Sequence, residues 1–146
     1  MMIKELEKLF VRDLEKLRGE LDQYPNEETL WKVVDGISNS GGNLVMHLCG
    51  NLQHFIGAVL HDTGYVRQRD FEFNGRMDLN QLNEEIGKTI EVIRSYFKDA
   101  DSETFDGDYP LEVFGYPMSI GYFLIHLQGH LNYHLGQINY HRRILS

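Results

Sequence analysis

The sequence predicts an all-α protein: a four-helix bundle with long connections between its helices and a short extended, hairpin-like segment before the last helix. Three observations carry this. Four stretches of about twenty residues set apolar side chains three and four positions apart. Clusters of Gly, Pro, Asn, Asp and Ser separate them, and only one short stretch, 109–117, alternates and turns as extended chain would. The 146 residues are one domain's worth, enough to bury about two-thirds of the unfolded surface in a single core.

The first predicted helix spans residues 2–23, where Ile3, Leu6, Phe10, Leu14, Leu17 and Leu21 form one apolar face among charged positions. Residues 24–38, with Pro25, Asn26 and Gly36, read as a connector holding a short turn at 29–33. Ser38, Ser40, Gly41 and Gly42 then precede a second helix over 43–61, closed by Thr63 and Gly64. A long link follows at 65–76. Asp78 caps a third helix over 79–97, with Leu82, Ile86, Ile90 and Ile93 inward, and the acidic run 99–108 marks its end. Ser119 caps the last helix, which runs to about residue 143, where Arg142 and Arg143 complement the C-terminal dipole. The links between the second, third and fourth helices exceed ten residues, so either can cross the end of the bundle and a strict up-down-up-down order does not follow.

Charge excludes several functions. The net charge is −8, and each half of the chain carries −4, so no basic lobe exists to meet phosphates and nucleic acid is not an expected partner. The low-charge stretch 44–60 is broken by His47, Asn51, Gln53 and His54, which makes it a buried helix, not a membrane span. The start of the chain carries charges where a signal peptide has its apolar run, and a single cysteine, Cys49, cannot close an internal disulfide. A cytoplasmic location is the expectation.

The charges that are missing say more. Residues 36–66 hold one formal charge, Asp62, and residues 113–141 hold none, yet all seven histidines lie in these two windows. His47, His54 and His61 fall in the first; His126, His130, His134 and His141 fall in the second. On a helix, His130 and His134 differ by about 40° in rotation and about 6 Å in rise, so both imidazoles can share one ion. His126 is about 12 Å of rise from His134, too far to join the same ion, so a third ligand must come from another helix. His47 and His54 are about 10 Å apart on the second helix, and only one of them fits a given ion. Antiparallel helices bring His47 level with the pair; parallel helices favour His54.

Three imidazoles with no inner carboxylate leave an open fourth position, as in catalytic rather than structural sites. Such donors suit zinc, nickel, copper or iron; magnesium and calcium want oxygen ligands. The same lack of inner carboxylates leaves no residue to serve as general base. No Glu-x-x-His, His-Glu-x-x-His, phosphate-cradling glycine loop or Gly-x-Ser-x-Gly elbow is present, and nothing activates Cys49. His54 and His126 are expected as core or rim histidines, and His61 and His141 as exposed ones. Asn51 and Gln137 are candidates to fix ligand tautomers; Trp31, Tyr122 and Tyr133 read as packing residues; Gly129 and Gly136 read as sites of close helix approach.

The run Ser40-Gly-Gly-Asn-Leu-Val-Met-His47-Leu, with His130-Leu-Asn-Tyr-His134-Leu-Gly136-Gln137-Ile138, resembles the DinB/YfiT-like superfamily of metal-dependent four-helix-bundle proteins. This is the damage-inducible family of bacilli, not the DNA polymerase of similar name. The likeness covers the whole chain. It implies a divalent ion, zinc or nickel first and iron or another transition metal next, held by His47, His130 and His134. It also implies an enzyme that activates a thiol or water, as in transferases and isomerases using a low-molecular-weight thiol, or in hydrolases. A homodimer is expected from the same likeness. The alternative is a non-catalytic, stress-related homodimeric bundle that binds metal or a small ligand.

Overall fold

Capping side chains start the long helices where the sequence places them. Ser40 accepts a hydrogen bond from the Asn43 amide, Asp78 from Gln81, and Ser119 from Tyr122, each satisfying an N–H that the first turn leaves free. Gln81 returns the bond to the Asp78 amide, completing a capping box. The computed structural model describes residues 2–146, and among these it is helical with no β-strand. In chain order the elements are α1 (Met2–Asp22), α2 (Glu27–Leu30), α3 (Gly41–Leu52), a π-helical segment (Gln53–Ala58), α4 (Val59–His61), α5 (Arg69–Asn74), α6 (Leu79–Asp99), α7 (Ser102–Asp106) and α8 (Ile120–Leu145). α3, the π segment and α4 follow without a break, so residues 41–61 form one rod.

Contacts run around a square in the order α1, α6, α3, α8. Residue pairs give the directions. Phe10 meets Phe97 while Arg18 approaches Gly87, so α1 and α6 are antiparallel. Gln53 bonds to Thr89 and His61 packs on Tyr96, so the second rod and α6 are parallel. His47 faces His130 and Phe55 faces Phe123, so α3 and α8 are antiparallel. The rods therefore run up, down, down and up, and the 62–78 link returns the chain along the length of the second rod. α3 is buried on every side, which explains why its sequence lacks charge rather than alternating.

Two helices were not expected. α5 lies inside the 65–76 link, and α7 lies in the acidic run, where Asp101 caps it by accepting from Thr104. The hairpin-like segment is reduced to a single bridge between Asp108 and Ser119, closed by the Tyr109 amide donating to Met118 at 2.9 Å. Pro110 and Pro117 lack the N–H that a longer ladder needs. The π segment widens the rod below His47. Tyr109 Oη donates to the Phe55 carbonyl at 2.7 Å, satisfying an acceptor there.

Asp13 is a fully buried carboxylate on the face of α1 that packs against α8. Arg12 holds it with bonds of 2.8 and 3.2 Å, and Gln128 and Asn132 of α8 donate to its Oδ2. Burial alone would raise its pKa, but these bonds outweigh burial and hold it below the usual value. A lowered folded pKa gives stability that is complete above about pH 4 and is lost as pH falls through the folded value. Asp13→Ala should cost about 2 kcal/mol at pH 7, because Arg12, the half-buried Gln128 and Asn132 all lose their acceptor at a fully buried position. Urea unfolding at pH 7 and pH 3 checks this: the gap between variant and parent should shrink at the lower pH.

Candidate metal centre

The antiparallel register of α3 and α8 decides which histidine of the second rod meets the pair on α8. His47 faces His130 and His134, with ring centroids 5.1 and 5.2 Å away, and the two α8 rings are 4.6 Å apart. One ligand atom from each of the three lies within 4.8 Å of the others. His47 Nε2 and His130 Nε2 are 3.3 Å apart. That matches the edge of a zinc tetrahedron with nitrogens about 2.05 Å from the ion, about 3.3 Å.

The outer nitrogens fix the tautomers. His47 Nδ1 lies 3.2 Å from Glu72 Oε1, and His134 Nδ1 lies 2.7 Å from Gln137 Oε1. Both oxygens only accept, so both Nδ1 atoms carry the proton and both Nε2 atoms carry a lone pair. Arg67 Nη2 lies 3.3 Å from His47 Nδ1 and donates to Glu72 Oε1 at 3.0 Å, the shorter contact and the charged acceptor. A second bond, from Arg67 Nε to Glu72 Oε2 at 2.9 Å, makes that pair bidentate.

Burial, then the neighbouring imidazoles His134 and His47, push the His130 pKa down to about 4. Burial also lowers that of His134. Both rings are therefore neutral at pH 7, the form a metal ligand takes. Burial would raise the Glu72 carboxyl, but hydrogen bonds from His47 and Arg67 hold it below the usual range, so it is ionised. The donor set, the two inward lone pairs and the carboxylate behind His47 fit a divalent transition ion with nitrogen ligands.

The structure brings together His47, His130 and His134 and leaves the other histidines out. His54 is half-buried against the Phe55 ring, and His126 is exposed, packed between Phe114 and Phe123 and 6.4 Å from the His130 ring. The expectation for His141 is corrected: it is buried, bonded to Tyr24 Oη at 2.7 Å and to the Lys32 carbonyl at 2.8 Å. His61 is half-buried, not exposed. Gln137 holds the His134 tautomer, whereas Asn51 makes no side-chain hydrogen bond to the three histidines and its buried Oδ1 has no partner. Gly129 and Gly136 are exposed, with nothing near the place of a Cβ, so neither serves close helix approach. Tyr122 and Tyr133 are exposed too; Trp31 packs in the core.

The expectation of a site without inner carboxylates also fails, because Glu72 is 4% exposed and touches a candidate ligand. It sits on α5, in the stretch read as a link, where the adjacent Phe73, which packs on the His47 ring, was a sign that part of this stretch turns inward, whereas Phe71 is exposed. Gly50, one turn after His47, admits it: a Cβ at position 50 would overlap the Glu72 carboxylate. Gly50→Ala should therefore displace Glu72 and lower zinc affinity about tenfold, measured by competition with a chromophoric chelator. Comparison of the chain with family models, with characterised proteins and with solved structures gives no match.

Proposed function

We propose that this chain is a metal-dependent enzyme of the DinB/YfiT-like four-helix-bundle kind, in which His47, His130 and His134 hold a divalent ion, zinc or nickel before iron. The observation that carries this is the convergence of the three rings, with His47 and His134 each held as the Nδ1–H tautomer by an acceptor behind it. An ion with a free coordination position supplies Lewis acidity and lowers the pKa of a thiol or water near it. Glu72 orients His47 and, bound by both Arg67 and His47, is a positioning residue rather than a base. The expected reactions are thiol transfer or isomerisation with a low-molecular-weight thiol, or hydrolysis of a small molecule.

A cytoplasmic setting agrees with the lone Cys49, which is buried and whose thiol burial pushes up to about 12. No helix among the described residues is long and apolar enough to cross a membrane. The test is elemental analysis of the full chain purified without chelator or a histidine-rich tag. About one ion per chain is expected, with thiol-transfer or hydrolytic turnover that disappears on chelation and returns with the ion. Folded protein that takes up none of zinc, nickel or iron overturns the reading.

The second reading is a non-catalytic homodimer that binds metal or a small ligand, and one observation supports the dimer, which the first reading shares. The outer face of α8 exposes Tyr122, Ile125, Tyr133 and Tyr140 within a stretch that has no charge. A sedimentation mass of two chains, with bound ion and no turnover, supports it; a mass of one chain defeats the dimer.

A further inference from the structure

A cleft of about 600 Å³ opens beside His134, between α8 and the segment that leads into α3. Tyr133, Tyr140 and Ile144 form one wall, and Val34 and Ile37 stand on the other. Four of these five are exposed, Tyr133 and Tyr140 by about two-thirds, so the walls offer apolar and aromatic surface to a ligand and little to each other.

The polar groups narrow the ligand further. Asp35 is the one formally charged side chain among the described lining residues, and no Lys or Arg is among them. His141 also lines the cleft, but both its ring nitrogens are already engaged, Nε2 with the Lys32 carbonyl at 2.8 Å and Nδ1 with Tyr24 Oη at 2.7 Å, so it has no free N–H to offer an anion. Arg143 lies over the Tyr140 ring, 5.3 Å from its centroid, and bonds to Asn139, and it is not one of the lining residues. An anion entering this cleft gives up water and meets a carboxylate instead of a cation.

We propose that the cleft binds the aromatic or branched apolar part of an uncharged or singly cationic small molecule and discriminates against anions. Its other end then lies at the His134 side of the three-histidine cluster. What that end meets rests on the metal reading above; the cleft itself does not. An anionic thiol would find no counter-charge here, so any thiol co-substrate that uses this cleft is neutral or carries an amine.

A matched pair of fluorescent probes tests this: N-phenyl-1-naphthylamine and its 8-sulfonate, which share their rings and differ by one negative group. Both are titrated into the full chain, zinc-free and zinc-loaded, with zinc content measured on the same samples. The naphthylamine should saturate at about one per chain and bind at least tenfold tighter than the sulfonate, a factor worth ~1.4 kcal/mol. Tyr140→Ala, a change at an exposed side chain, should weaken it about tenfold. Asp35→Lys should tighten the sulfonate about tenfold. Equal binding of the two probes, or naphthylamine binding that Tyr140→Ala leaves unchanged, overturns the proposal. Probe binding by a chain that takes up no zinc upholds the cleft and removes the metal reading. Zinc uptake without probe binding does the reverse.

Discussion

Replacing His130 with alanine is expected to remove the bound ion while leaving the helices in place. His130 supplies the nitrogen 3.3 Å from His47 Nε2, and without it only His47 and His134 remain on two different helices. Loss of one outer partner of a metal ligand costs about 10–100-fold in affinity, and loss of the ligand itself should exceed ~100-fold. His134→Ala should behave alike. His54→Ala and His126→Ala should keep the ion, since neither ring belongs to the cluster. Elemental analysis reads the content, and circular dichroism shows that the variants stay helical. Thermal unfolding gives a second readout: zinc at about 100 times its Kd should stabilise the parent by ~2.7 kcal/mol and the His130 and His134 variants hardly at all. Retention of one ion per chain by both variants would show that it binds elsewhere.

The helices were legible in the sequence because their signals are local. Three-and-four spacing, Ser40, Asp78 and Ser119 as caps, and charge confined to outer faces identify the four rods within two or three residues. The α8 pair of the site was legible for the same reason, since His130 and His134 share a face at a fixed rise. Choosing between His47 and His54 needed the relative direction of two helices, which spacing within one helix does not carry. Glu72 was hidden by a different cause. Its helix, α5, has only six residues and owes its position to packing on α3, where Gly50 leaves room. His141 was misread because a polar residue near a helix end is usually solvated, whereas here Tyr24 and the Lys32 carbonyl arrive from a distant connector to bury it.

Glu72→Ala should lower both stability and metal affinity, and the two losses have separate causes. The carboxylate and Arg67 are both largely buried, with side-chain exposures of 6% and 12%. Removing the acid leaves the guanidinium without its bidentate partner, at a cost of about 3 kcal/mol. The metal effect comes through His47, whose Nδ1–H loses the acceptor that holds Nε2 toward His130 and His134, for a loss of about 10–100-fold in zinc affinity. Glu72→Gln separates them. Its amide oxygen can still accept from His47 Nδ1, so it should keep more of the affinity than alanine while still losing the charge that Arg67 needs. Nitrogen chemical shifts of the His47 ring supply the readout that stability alone would not move. The parent should show Nδ1 protonated, and Glu72→Ala a mixture of the two tautomers. If Glu72→Ala unfolds more easily yet keeps both the His47 tautomer and the zinc affinity, then Glu72 is a counter-ion for Arg67 and His47 is oriented by its packing against Phe73.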